Sequence, residues 1–166
     1  MSSTGADPTH RAYLALGSNL GDRRAYLQGA INGLAHADGV TVVAVSPVYE
    51  TEPVGGPAQD DYLNAVVAID TTLDPYALLD LAHECEAEAR RVRVEKDGPR
   101  TLDVDVLLYD DVELDDPVLT IPHPRMSERG FVLAPLQDIA PERVVGSGPW
   151  PGVRMASVTL DLPPTR

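Results

Sequence analysis

The order of the predicted strands and helices leaves few folds open to this sequence. Strands are predicted where apolar and β-branched residues alternate or run together, and helices where apolar residues recur every three or four positions. Six such segments follow one another as strand, helix, strand, strand, helix and strand, at residues 12–18, 19–39, 40–46, 62–71, 73–91 and 102–109. This order predicts an α+β fold of the ferredoxin-like βαββαβ type, a sandwich in which two helices cover one face of an antiparallel sheet. The other face is expected to stay available for ligands.

The two helices have the signals expected of helices that pack on a sheet. In the second, Asp74 is a suitable N-cap and Pro75 suits the first helical position. Its apolar stripe consists of Leu78, Leu81, Ala82 and Cys85. The stripe of the first helix consists of Leu27, Ala30, Ile31 and Leu34, with Gly39 as a plausible stop. The preceding "GSNLGD" lacks the lysine and the glycine spacing of a P-loop, so we interpret it as a turn and helix cap.

The sixth segment has two carboxylates inside what otherwise reads as a buried strand. Leu102, Val104, Val106 and Leu108 alternate with Asp103, Asp105, Leu107 and Tyr109, and a period of two sends the two sets to opposite faces. Asp103 and Asp105 are therefore expected to share one face, roughly 7 Å apart. In the same way, the strand at 62–71 is expected to turn Leu63, Ala65, Val67 and Ile69 to one face and Tyr62 and Asn64 to the other.

The remaining segments give weaker signals. Residues 1–10 are expected to form a flexible N-terminus, and residues 11–166 a single domain with extra C-terminal elements. Residues 119–141 are predicted to form loops and a short strand. The last twenty-one residues, 146–166, are too rich in proline and glycine for an assignment, and either packing on the domain or a free tail is compatible with them.

The composition excludes several classes of partner. With a formal net charge of −13, the chain is not expected to bind nucleic acid or a membrane surface, because both are anionic. The single cysteine, Cys85, leaves no disulfide framework and indicates a cytoplasmic protein, and its bland interpretation is a small core side chain. We expect a monomer.

Arginines stand next to the aspartate strand. Arg90, Arg91, Arg93 and Arg100 precede it, and guanidinium groups bind phosphates and carboxylates bidentately. Carboxylates two residues apart, close to such a cluster, unite a hard-cation site with an anion clamp, as a nucleotide bound with Mg²⁺ requires. The alternative is that the open face of the sheet is wet and alternates polar residues for that reason alone.

Three further side chains are candidates for binding. His123 lies between prolines in "IPHPR" and is followed by Arg125 and Arg129, although a lone histidine is more often structural. Phe131, the only phenylalanine, is either a core residue or a stacking platform. Tyr62 offers a matching aromatic ring, and Asn64 an amide that can read the edge of a heterocycle.

Taken together, the motifs resemble those of the 6-hydroxymethyl-7,8-dihydropterin pyrophosphokinase family. The resemblance rests on "GSNLGD", "YETEPVG", "DYLNAV", "GPRTLDVDVLLY" and "IPHPRMSERGFVLAPL", which occur in that order from about residue 14 to residue 141. It implies a ferredoxin-like αβα fold and a folate-pathway enzyme. Such an enzyme transfers the pyrophosphoryl group of ATP to the hydroxymethyl oxygen of the pterin, gives AMP and uses two Mg²⁺ ions.

The resemblance also implies roles for individual residues. Asp103 and Asp105 resemble the metal-binding pair, and together with Arg91 and Arg100 they form the implied catalytic set. The implied ATP contacts are Arg91, Arg93, Arg100, Val106, Thr120, His123 and Arg129. The implied pterin contacts are Thr51, Glu52, Pro53, Val54, Gly55, Tyr62, Asn64 and Phe131.

Two other functions remain open from the sequence. A ferredoxin-like domain can bind a ligand or regulate without catalysis, because a fold does not fix a function. Alternatively, a metal-dependent phosphohydrolase could use the same aspartates to activate water, and would then turn over ATP without pterin. The possible pterin-binding set of Tyr62, Asn64 and Phe131 argues against both.

Overall fold

The computed structural model describes residues 8–52, 61–91, 102–146 and 148–164 of the 166-residue chain. Its strands are β1 (His10–Ser18), β2 (Val40–Val45), β3 (Tyr49–Thr51), β4 (Tyr62–Thr71), β5 (Asp103–Tyr109), β6 (Leu114–Asp115), β7 (Thr120–Ile121) and β8 (Val153–Met155). The helices are α1 (Arg23–His36), α2 (Pro75–Arg91) and α3 (Gly130–Ile139), with two short 3₁₀ turns at Met126–Glu128 and Pro141–Arg143. Within these ranges, no helix is both long enough and apolar enough to cross a membrane.

The sheet confirms the predicted fold class. Its strands are ordered β5-β1-β4-β3-β8, β2 also pairs with β4, and each of these pairings is antiparallel. Strands β2 and β3 follow each other along β4, so the first six predicted segments form the expected βαββαβ unit. The short β6 and β7 pair with each other as a separate hairpin.

Helices α1 and α2 cover one face of the sheet, as their stripes predicted. Both helices begin at an aspartate cap: the backbone N–H of Ala25 donates to Asp22 at 3.1 Å, and that of Ala77 donates to Asp74 at 2.8 Å. The core beneath them includes the predicted inward-facing residues Leu27, Ile31, Leu34, Leu63, Ala65, Val67, Ile69, Leu78 and Ala82. "GSNLGD" is thus a turn followed by a helix cap.

The second face of the sheet is partly covered by α3, which the sequence prediction missed. Residues 119–141 were expected to hold only loops and a short strand, but residues 130–139 are helical despite Pro135. Five consecutive residues of α3 are buried, from Val132 to Leu136, so the helix is apolar on most of its sides. Burial against Tyr13, Val66 and Leu107 compensates for the interruption by proline. Only the part of this face beyond α3 is open to ligands.

A bulge in β5 corrects a second prediction. Strict alternation predicted that Leu108 lies on the same face of the sheet as Val104, and Tyr109 on the same face as the two aspartates. In the β1–β5 ladder, Tyr13 pairs with Leu108 but Leu14 pairs with Val106, which leaves Leu107 as an extra residue. Leu107 and Leu108 therefore both join the core under α3, and Tyr109 turns to the α1–α2 side. There its hydroxyl donates to the carbonyl oxygen of Leu73 at 2.6 Å.

The C-terminal segment packs on the domain, which the sequence left open. Strand β8 pairs with β3, and Ala156, Val158 and Leu160 pack against the main core. Arg24 on α1 donates to the carbonyl oxygen of Thr159 at 2.8 Å. At the other end of the chain, β1 already begins at His10, inside the segment expected to be flexible, while residues 1–7 lie outside the described ranges.

Replacing Leu136 by alanine is expected to lower the free energy of unfolding by about 2–5 kcal/mol, because it removes a fully buried side chain between α3 and the sheet. The matched control is Leu162→Ala, since Leu162 is 53% exposed and its truncation leaves no cavity. Urea unfolding followed by circular dichroism measures both. Equal stability of the two variants would contradict the packing of α3.

Candidate functional site

Two cavities meet at the pair of aspartates. We call the first the aromatic cavity; it has a volume of about 490 Å³ and its lining includes Thr51, Glu52, Tyr62, Asn64, Arg125 and Phe131. We call the second the histidine cavity; it has a volume of about 560 Å³ and its lining includes His83, Glu86, Val106, Leu119, Thr120 and His123. Asp103, Asp105 and Arg129 line both. A ligand in either cavity can therefore contact the same two carboxylates.

A row of residues across the sheet forms the floor of the aromatic cavity. In the antiparallel ladders, Gly17 of β1 pairs with Asn64 on one side and with Asp103 on the other, and opposite residues share a face. Gly17 allows a close approach, since a Cβ atom at this position would lie 3.2 Å from the amide oxygen of Asn64 and would push that side chain aside. The small residue lets the polar groups of both neighbouring strands lie over the centre of the sheet.

Asn64 is held in one orientation by its neighbour. Its Nδ2 atom donates to Oγ1 of Thr51 at 2.9 Å, and both side chains are buried. One Nδ2–H and the amide oxygen remain to present a donor and an acceptor side by side. This pair of groups can read the edge of a flat heterocycle, with Tyr62 and Phe131 in the same cavity as aromatic surfaces.

Strand β5 is at the edge of the sheet, and Glu86 of α2 satisfies one of its outward backbone groups. The carboxylate of Glu86 accepts a hydrogen bond of 2.8 Å from the backbone N–H of Val104. Val104 lies between the two aspartates, so this contact restrains the backbone that carries both. Because Glu86 also lines the histidine cavity, it adds negative charge near the site of the proposed cation.

His123 is partly buried at the wall of the histidine cavity. Its Nδ1 atom accepts a hydrogen bond of 3.2 Å from the backbone N–H of Arg125, which leaves the proton of the neutral ring on Nε2. Burial lowers the pKa of His123 from its ordinary value of 6.5; the charges of Arg129 and Arg125 add to this effect, while the charge of Asp105 opposes it. The ring is thus a neutral N–H donor near neutral pH.

Arg129 connects the two cavities electrostatically. Its guanidinium carbon lies 5.7 Å from the centroid of the Phe131 ring, within the range of a cation–π contact. The residue also caps α3, since its carbonyl oxygen accepts from the backbone N–H of Leu133 at 3.0 Å. One arginine can therefore touch an anionic group in the histidine cavity and support the aromatic ring in the other.

The structure brings together most of the residues that the sequence singled out. The predicted nucleotide contacts Val106, Thr120 and His123 line the histidine cavity, whereas Arg129, predicted for the nucleotide alone, lines both cavities. The predicted pterin contacts in the aromatic cavity are Thr51, Glu52, Tyr62, Asn64 and Phe131. The other predicted site residues lie outside the described ranges, namely Arg93, Arg100, Pro53, Val54 and Gly55. Arg91 is the last residue of α2, and its side chain is not described.

Three ionisable residues of the cavities were missed from the sequence. His83 and Glu86 lie three residues apart on α2, and this spacing puts them on the same side of the helix, toward the histidine cavity. The position of His83 and Glu86 relative to the apolar stripe could have indicated that this side of α2 lies next to the edge of the sheet. Arg125 was noted only as a neighbour of His123, and it lines the aromatic cavity instead.

The donor set fits Mg²⁺ rather than a metal that needs a complete protein cage. Among the described residues, no group of three or more His, Cys, Asp or Glu side chains could hold a metal ion. Mg²⁺ binds through one or two carboxylates and completes its octahedron with water and phosphate oxygens. Asp103 and Asp105, open to both cavities, provide such a partial set.

Comparison with known proteins identifies close relatives of the whole unit. The family model described as 7,8-dihydro-6-hydroxymethylpterin-pyrophosphokinase matches residues 13–141. A 2-amino-4-hydroxy-6-hydroxymethyldihydropteridine pyrophosphokinase of Methylorubrum extorquens is 48% identical over 151 residues, which cover 91% of this chain and 94% of that protein. The enzyme of the same name from Bacillus subtilis is 49% identical over 128 residues, which cover 77% of each chain.

A solved structure shares the fold. The wild-type HPPK-DHPS of Plasmodium falciparum with pterin and p-hydroxybenzoate superposes with a TM-score of 0.60 at 18% identity. The match covers 84% of this chain but only 40% of that longer one. At this level of identity, the likeness supports the architecture alone.

The protonation of His123 gives a direct test of the site's electrostatics. NMR titration of the imidazole signals should give a pKa below 6.5, lower still in Asp105→Asn and higher in Arg125→Gln, because these variants remove charges that act in opposite directions. The unfolded chain binds this proton more readily, so its contribution to stability is complete above about pH 6.5 and is lost as the pH falls toward the folded pKa. A wild-type pKa above 6.5 would contradict the burial and charges described for His123.

Proposed function

The chain belongs to the 7,8-dihydro-6-hydroxymethylpterin-pyrophosphokinase family, and we propose that it carries out the reaction where the aromatic and histidine cavities meet. It is an enzyme of folate biosynthesis that pyrophosphorylates hydroxymethyldihydropterin. The observation that carries the proposed site is that Asp103, Asp105 and Arg129 line both cavities. Two substrates bound one in each cavity would meet at these three residues.

We assign 6-hydroxymethyl-7,8-dihydropterin to the aromatic cavity. Its flat ring suits a cavity that holds Tyr62 and Phe131, and its ring edge suits the donor and acceptor of Asn64 beside Thr51. Glu52 lines the same cavity, and residues Pro53, Val54 and Gly55 complete the proposed set by family resemblance alone. The hydroxymethyl group would then lie on the side of the aspartates.

We assign ATP to the histidine cavity, with AMP as the product that leaves. Val106, Leu119 and Thr120 offer an apolar wall with one hydroxyl for the nucleoside, and His123 offers an N–H donor to a phosphate. Arg129 would neutralise charge on the transferred group. Asp103 and Asp105 would hold Mg²⁺, two ions in our proposal, whose charge offsets the repulsion between these carboxylates and the triphosphate.

The chemistry is an in-line displacement at the β-phosphorus of ATP. The hydroxymethyl oxygen forms a bond to that phosphorus and releases its proton to solvent. The bond between the β-phosphorus and the oxygen shared with the α-phosphate breaks, and AMP leaves with that oxygen. The role of the chain is to align the two substrates and to stabilise charge, which is the main protein contribution to phosphoryl transfer. Arg91, Arg93 and Arg100 are proposed to contact the triphosphate. Arg91 and Arg100 are the two assigned to catalysis.

We further propose that a single chain is the active unit. A cytoplasmic location would supply ATP, and the single cysteine is compatible with it.

Nucleotide product analysis with ATP, Mg²⁺ and 6-hydroxymethyl-7,8-dihydropterin tests the assignment of the aspartates. The wild-type enzyme should form AMP only when pterin is present. Asp105→Asn should lose at least about 100-fold of this activity because it removes a charged ligand from the metal site. The control Asp111→Asn changes a fully exposed carboxylate outside both cavities and should retain activity. ADP, or turnover without pterin, would favour the phosphohydrolase, and binding without turnover would favour a non-catalytic domain.

The arginines need a separate test. Arg91→Ala and Arg100→Ala should each reduce kcat by about 100-fold or more if the side chains stabilise charge on the transferred group. Arg90→Ala is the matched control, since Arg90 belongs to the same arginine cluster but is exposed on α2 and is not among the proposed ATP contacts. Rates near the wild-type value in both test variants would show that this assignment is wrong.

A further inference from the structure

Arg23, in the first turn of α1, contacts strand β3 and the residue that directly precedes strand β4. We propose that it is a positioning residue that sets the affinity for the pterin without touching it. The inference rests on the proposed assignment of the aromatic cavity to the pterin. Arg23 itself is not among the residues that line either cavity.

The contacts of Arg23 end one residue short of the proposed binding residues. Its Nη1 atom donates to the backbone carbonyl oxygen of Asp61 at 2.7 Å and lies 3.6 Å from Oε2 of Glu50. Asp61 directly precedes Tyr62, and Glu50 directly precedes Thr51. The guanidinium group of Arg23 therefore connects the backbone of Asp61, next to Tyr62, with the side chain of Glu50, next to Thr51.

The position of these residues in the sheet explains why such an anchor matters. Thr51 is the last residue of β3 and Tyr62 is the first of β4, and the two form the end pair of the β3–β4 ladder. End pairs have ladder hydrogen bonds on one side only, so they fray more easily than the strand interior. Thr51 is also paired with Val153 of β8, whereas the β1–β4 ladder stops at Leu63 and does not reach Tyr62. A bond to Asp61 from outside the sheet can therefore hold Tyr62 where the ladders restrain it least.

The C-terminal strand strengthens the same point from another direction. Arg154 of β8 pairs in register with Glu50, and its guanidinium group forms an ion pair with the carboxylate of Asp61. Asp61 is thus held twice, through its carbonyl oxygen by α1 and through its side chain by β8. The side chain of Arg23 is 30% exposed, whereas that of Arg154 is 52% exposed, so we expect the Arg23 contact to have the larger effect.

Arg24 provides a matched control in the next position of the helix. Its Nε atom donates to the carbonyl oxygen of Thr159 at 2.8 Å, and its Nη2 atom lies 3.3 Å from the carboxylate of Asp161. It therefore also ties α1 to another part of the chain, but it lies against the C-terminal segment and contacts none of the strand ends beside the aromatic cavity. Replacing it tests whether any loss is simply that of an arginine on α1.

The experiment is calorimetric titration of 6-hydroxymethyl-7,8-dihydropterin into the full chain with Mg²⁺ and α,β-methylene-ATP. The linkage between the α- and β-phosphorus atoms of this analogue is not cleaved, so no pyrophosphoryl transfer takes place. Titration of the ATP analogue alone is measured in parallel. Arg23→Gln should weaken pterin binding about tenfold. Loss of a residue that orients a ligand-binding group reduces affinity by about 10- to 100-fold in metal sites, and we expect the lower end of that range. It should leave the affinity for the ATP analogue within about twofold of wild type. Arg23→Lys, which can still donate to Asp61, should restore part of the affinity, and Arg24→Gln should bind like wild type.

The variant Tyr62→Ala separates failure of this inference from failure of the assignment on which it rests. If Tyr62→Ala binds pterin normally, or if the wild-type chain does not bind it, both are overturned. If Tyr62→Ala loses affinity but Arg23→Gln does not, the positioning role alone is overturned. Equal losses in Arg23→Gln and Arg24→Gln, or a parallel loss of affinity for the ATP analogue, would also overturn it, because either outcome indicates a general structural effect.

Discussion

The pairing of β1 with both β4 and β5 is the constraint on which the site depends. Because Gly17 is opposite Asn64 on one side and Asp103 on the other, the register of β1 with its two neighbours places the Asn64 amide and the Asp103 carboxylate in one row. A shift of either ladder by one residue would turn its polar groups toward the core under α1 and α2. The buried apolar residues on the opposite face of the same strands make such a shift unfavourable, so the packing of the core also defines the spacing of the proposed substrates.

The sequence was most informative where one period continues through a whole element. The stripes of α1 and α2, their aspartate caps and the two faces of β4 follow from spacing alone, because each is set by local geometry and one contact surface. Asp103 and Asp105 were found in the same way, as polar residues in an otherwise apolar strand. Together with the motif resemblance, these features predicted a site near β5.

Three features could not be read from spacing, each because a tertiary contact overrides the local signal. Helix α3 contains a proline and a run of five buried residues instead of a narrow apolar stripe, and it is stabilised by burial against the second face. The bulge at Leu107 reverses the alternation in β5, and it is visible only in the register with β1. Glu86 satisfies a backbone N–H on another element, a pairing that no pattern within α2 specifies.

The outward edge of β5 has a consequence for behaviour in solution. An uncovered edge strand exposes unpaired backbone groups that can pair with another chain and start aggregation. Here the N–H of Val104 is bound by Glu86, and the carbonyl oxygen of Leu107 accepts from the backbone N–H of His123 at 2.9 Å. The Glu86 side chain and the His123 loop thus cover part of the strand that carries the two aspartates. Residues that line the histidine cavity therefore also discourage edge-to-edge association between copies of the protein.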